Sequence, residues 1–150
     1  MIQIAFYILT GYLILITALF GILPSISESY YKLGGVKKFG WLFSVVLLTV
    51  GVLLVFSIQH YLIAFSMCGI WFVAFVPNFK DKVANIVHYS FAILIFIPAI
   101  IYIWTIGFHF VVIGAVSAVG LCFFLPKTVR VFAVEVILFY TIIIPLLYHF

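Results

Sequence analysis

Polar side chains in this chain fall in short clusters separated by long apolar runs, at 2–23, 40–57, 61–76, 83–104, 108–125 and 131–149. A membrane-crossing helix needs about 20 consecutive apolar residues, whereas a barrel strand needs about 10 in strict alternation. These runs are long and do not alternate. They predict an all-α, polytopic integral membrane protein, a bundle of six transmembrane helices forming one domain over 1–150. The punctuation agrees with that reading. Gln59 and His60 make a two-residue turn, Pro77 ends the third run, and 105–107 breaks the fourth from the fifth. Pro98 is expected to kink the fourth span, because proline removes one helical hydrogen bond.

Composition narrows the class further. With 69% hydrophobic and 7% charged residues, too few polar groups exist to clothe a water-soluble exterior. The bilayer is then the solvent, and in lipid only helices or closed barrels satisfy their own backbone. The formal net charge of +4 does not point to nucleic acid, since the basic residues sit in short connections. With six spans, the segments 24–39, 77–82 and 126–130 share a side. Those segments hold Lys32, Lys37, Lys38, Lys80, Lys82, Lys127 and Arg130, which is every lysine and arginine in the chain. Basic connections favour the cytoplasmic side, so both termini are expected outside, in a bacterial cytoplasmic membrane. The first run opens without a basic leader region, which argues against a cleaved signal peptide.

The polar residues that remain are candidates for chemistry. The segment 24–39 is the longest polar interruption and contains a serine and tyrosine cluster around Glu28. Glu135 lies one turn inside the sixth run, about 6–7 Å along the helix at 1.5 Å per residue. His88 has a similar depth in the fourth, and Asp81, Asn85 and His88 are spaced to share a helix face. Ionisable groups inside a span are costly unless paired or hydrated, and they mark functional sites by default. A pocket at the cytoplasmic leaflet is therefore expected, with His88, Glu135, Glu28 and Asp81 as catalytic candidates. Ser25, Ser27, Glu28, Lys37, Lys38, Asn85, His88, Arg130 and Glu135 are the candidates for holding a lipid headgroup. The plainer alternative is that Glu135 pairs with Arg130 or a loop lysine and only pins helices.

No cofactor is expected, although His88 with a carboxylate is a candidate metal pair. His60, His109 and His149 gather on the opposite side without ligand spacing or a nearby acid. Cys68 and Cys122 sit within apolar runs and read as packing residues. No nucleophile elbow, P-loop, HExxH or dinucleotide fingerprint is present. The small-residue patch from Gly114 to Ala118 suits close helix packing, within the bundle or between copies of the chain.

Two local features resemble a known family. Pro24-Ser25-Ile26-Ser27-Glu28 follows the first span, and Val87-His88 opens a later one ahead of Tyr89-Ser90-Phe91-Ala92. Together they resemble six-span proteins of the autophagy-modulator and GPI-lipid-remodelling type. Small bacterial and phage membrane proteins with a SIS(D/E)-x-YY loop are similar too. The resemblance covers about 15 residues, with Glu28 in place of an aspartate and Ser25 in place of an aromatic. It implies lipid handling through Ser25, Ser27, Glu28 and His88. Binding or modification of a lipid or other amphiphile is thus the leading expectation, and whether any reaction is catalysed stays open. A small oligomeric transporter or channel and a structural accessory subunit are the alternatives.

Overall fold

The computed structural model describes residues 1–34, 38–75 and 82–150, apart from the side chains of 82–85 and 89, and shows an all-helical chain. Seven helices occur among the described residues: α1 (Ile2–Phe20), α2 (Glu28–Lys32), α3 (Trp41–Ile58), α4 (Tyr61–Phe75), α5 (Lys82–Thr105), α6 (His109–Cys122) and α7 (Lys127–His149). Six follow the six apolar runs. The seventh, α2, corrects the expectation of an irregular polar loop after the first span. Four helical stretches are long and apolar enough to cross a membrane: Ile2–Phe20, Trp41–Ile58, Ile86–Thr105 and Lys127–His149. Helices α4 and α6 are apolar but shorter, at 15 and 14 residues.

The helix ends follow from local chemistry. Helix α1 stops at Gly21, whose φ of 72° suits a residue without Cβ. Gln59 closes α3 in the left-handed region, with φ 49° and its N–H on the Val55 carbonyl at 3.1 Å. That single residue lets the chain reverse within the short Gln59–His60 turn. Helix α7 begins at Lys127, ahead of the apolar run that was expected to bound it. Proline at a helix start loses no hydrogen bond, so Pro126 starts the helix where hydropathy alone sees a turn. Lys127 and Arg130 are consequently helical rather than turn residues.

Helices α4 and α5 approach each other closely. A Cβ placed on Gly69 would lie 2.8 Å from the Phe91 carbonyl oxygen and 2.9 Å from the Ile95 nitrogen. Beside it, the buried Ser66 hydroxyl donates to the Ile95 carbonyl, just before Pro98. Proline inside a membrane helix frees carbonyls in the preceding turn, and a neighbouring serine is one way to satisfy them. The core runs through one face of each long helix, with Leu9, Phe43, Val50, Ile63, Ile70, Ile103 and Ile143 essentially buried.

At the end that carries the lysines, the Ser44 hydroxyl donates to the Ala74 carbonyl at 2.7 Å, and the Phe132 N–H reaches the Pro24 carbonyl at 3.1 Å. At the opposite end His60 lies against Tyr61 and Tyr102, His109 against Trp104, and His149 against Phe108. The His60 Nδ1 also accepts the Leu62 N–H at 3.3 Å. These three histidines are therefore each packed on rings of their own.

Candidate functional site

The segment between α1 and α3 does not lie over the bundle as a solvated loop. Leu23, Ile26, Ser27, Ser29 and Tyr30 are all buried. Ser25 and Glu28 have the spacing of a capping box, and the Ser25 oxygen accepts the Glu28 N–H at 3.3 Å. That turn starts α2. Ser25 and Ser27 also share a hydrogen bond between their hydroxyls at 2.9 Å.

Two long-range anchors hold the segment in place. Ser29 donates to the Ile26 carbonyl at 2.5 Å, which leaves its oxygen to accept from Tyr12 on α1 at 2.6 Å. A buried tyrosine hydroxyl needs such a partner, and Tyr12 sits two turns before the end of α1. The segment is thus held against the flank of α1 rather than across its tip. On the other side, Glu135 Oε2 accepts the Ile26 N–H at 2.6 Å. This hydrogen bond joins α7 to the loop backbone.

Behind this closure lies a cavity of about 20 Å³, lined by Ile26, Ser27, His88 and Glu135 with apolar side chains from α3, α4, α5 and α7. A space of that size holds about one water molecule. His88 is 6% exposed. The structure therefore brings Ser27, His88 and Glu135 to one point, with Ser25 and Glu28 one hydrogen bond away along the same turn. Chemically the cavity offers a hydroxyl, an imidazole and a carboxylate already engaged by a backbone amide.

The remaining candidates go elsewhere. Arg130 donates to the carbonyls of Phe123 and Leu125, at 2.7 and 3.0 Å, and lies over the Phe123 ring at 5.6 Å. It caps the C-terminal end of α6, where carbonyls lack helical partners. The expected alternative of a Glu135–Arg130 ion pair is corrected accordingly: the carboxylate takes a backbone N–H, and the guanidinium takes carbonyls. Lys38 is exposed. Asn85 stands near the start of α5, while Asp81 and Lys37 lie outside the described residues. Among the described residues no group of three or more His, Cys, Asp or Glu side chains is placed to hold a metal ion.

Tyr12 and Ser29 were missed as positioning residues from the sequence. The signal was available in part, since a tyrosine in mid-span with a serine-rich segment after the same span invites a pairing. The capping-box spacing of Ser25 and Glu28 was equally legible. Comparison of the chain with family models, with curated proteins and with solved structures found no match.

Proposed function

We propose that this is an integral membrane protein in which all six apolar helices cross the bilayer, and that it binds a lipid or other amphiphile at its cytoplasmic leaflet. Both termini are then outside and the lysine-bearing end inside, in a bacterial cytoplasmic membrane. Helices α4 and α6 would span only about 21–23 Å as helix at 1.5 Å per residue. For α6 the exposed Phe123, Phe124 and Leu125 extend the apolar stretch, and local thinning of the bilayer accommodates a short span.

The observation that carries the reading is the hydrogen bond from Ile26 N–H to Glu135 Oε2 at 2.6 Å. It holds the Glu135 carboxyl against a folded-in loop, with Ser27 and His88 on the same cavity. Intramembrane ionisable groups are by default functional. Ser25, Ser27, Glu28 and His88 are also the positions that the resemblance to lipid-remodelling proteins names. Displacement of the 24–32 segment would open the cavity to a headgroup, and the nearby lysines would attract phosphate.

Native mass spectrometry of the purified protein, beside His88→Ala and Glu135→Gln, tests this reading. A bound amphiphile retained by the wild type and lost by both folded variants is the expected result. If nothing is lost and the variants merely melt earlier, the cluster only pins helices, and the accessory-subunit reading replaces this one. Self-association through Gly114 and Ala118 is part of the proposal, because Gly114 faces open space in the single chain.

A further inference from the structure

A different surface lies between α1 and α7. Helices α1 and α7 run antiparallel with a hollow seam between them. One hollow of about 470 Å³ is bordered by Leu13, Thr17, Phe132 and Val136. A second of about 390 Å³ lies nearer the termini, between Gln3 and Phe6 on α1 and Ile144 and Tyr148 on α7, and shares no lining residue with the first.

The chemistry of the first hollow is nearly all hydrocarbon. Thr10 and Tyr140 hydrogen-bond each other across the seam at 2.9 Å, so they ask for no polar ligand. Ile14 is 64% exposed, and Thr17 and Ala18 are exposed beside it, so the groove opens sideways. Both flanking helices are long and apolar enough to cross a membrane, so hydrocarbon rather than water lies against the opening. The volume falls within the roughly 300–1,000 Å³ of small-molecule sites. At the loop end of the seam, Lys127 and Thr128 open α7 exposed, and Lys32 ends α2 exposed.

We propose that the α1–α7 seam holds an acyl chain of an anionic phospholipid, with the headgroup at the lysine-bearing end. A flexible chain fits an apolar hollow that opens sideways, and exposed lysines at that end of the bundle favour negative headgroups. The inference rests on the reading above for the membrane crossing of α1 and α7, and it makes no use of the His88 cavity.

The test reconstitutes the full chain in vesicles of phosphatidylglycerol and phosphatidylcholine, either lipid carrying a photoactivatable diazirine on its acyl chain. Adducts are then mapped by peptide mass spectrometry. The expected result is phosphatidylglycerol adducts concentrated on 10–18 and 132–140. Filling the groove with Ala18→Trp should reduce them roughly tenfold, the scale on which a hydrophobic pocket discriminates. Thr17→Phe repeats the test at an exposed position if the tryptophan variant does not fold. Lys127→Glu should cut the preference for phosphatidylglycerol by roughly fivefold.

Adducts spread evenly over exposed apolar residues, including Phe110 and Phe124, would overturn the site. Equal labelling by both lipids would overturn the anionic selectivity. Loss of a dimer in the folded Ala18→Trp protein, without lipid adducts, would assign the seam to a second copy instead. The cavity reading fails separately, on the retained-ligand measurement with His88→Ala and Glu135→Gln.

Discussion

Helices α4 and α6 are almost the same length and equally apolar, yet the bundle uses them in opposite ways. Helix α4 is locked against α5 through Gly69 and Ser66, with Ile63, Met67, Ile70 and Val73 buried. Helix α6 buries only Val112, Ala115 and Cys122, while Phe110 stands 89% exposed. Its Gly114 and Gly120 face open space, so their small size brings no neighbour closer. The same kind of residue is thus a packing requirement in one helix and unoccupied surface in the other. In lipid no hydrophobic force drives helices together, and close packing with a few hydrogen bonds decides which faces meet.

Substitution at matched positions exposes that difference. The largest effect is expected from Gly69→Val, because its Cβ would meet the α5 backbone at 2.8–2.9 Å and backbone cannot step aside. A loss of about 3 kcal/mol is expected in detergent unfolding followed by circular dichroism. Gly120→Val, with nothing near its Cβ, should stay within about 0.5 kcal/mol. Equal losses at the two sites would show that α6 is packed as closely as α4.

Glu135 comes next. Glu135→Leu leaves the Ile26 N–H buried without its acceptor and should cost about 1–3 kcal/mol. Glu135→Gln keeps an oxygen in place and should cost clearly less. Comparable losses in the two variants would mean that packing, not the hydrogen bond, holds the loop. Hydrogen exchange at the Ile26 amide reads the same contrast directly.

Smaller still is Ser66→Ala, which removes the donor to the Ile95 carbonyl beside Pro98. Hydrogen bonds between membrane helices average about 0.6 kcal/mol and reach about 1.7, so a loss in that range is expected. The smallest effect belongs to Gly114→Ala, which should leave monomer stability within about 0.5 kcal/mol. Gly114→Leu should likewise leave the fold intact and abolish any self-association, measured by sedimentation in detergent. A dimer that survives it would remove Gly114 from the interface.

Much of the fold was legible because each apolar run is long and each break has its own chemistry. Gln59 with His60, Gly107 and Pro126 all mark real helix ends. The site was legible only in its members. His88 and Glu135 stood out as ionisable groups in apolar surroundings, and Ser27 as part of the one polar cluster. Their partners did not, because Glu135 is satisfied by the main-chain N–H of Ile26, and every residue but proline carries such a group. The partners of Arg130 were missed for the same reason, since the carbonyls of Phe123 and Leu125 are invisible to a reading of side-chain charges.

Hydropathy and turn chemistry by themselves determined that the chain is all helical and where its six apolar helices lie to within a few residues, though not α2 or the early start of α7. Tertiary structure alone decided which face of each helix is inside, that the 24–32 segment folds inward onto Tyr12 and Glu135, and that α1 and α7 leave a seam between them. The physical reason is the solvent. Where water surrounds a helix, its polar face points outward and the sequence records the direction. Where lipid surrounds it, both faces are apolar, and orientation is left to steric fit and to a few backbone-directed hydrogen bonds.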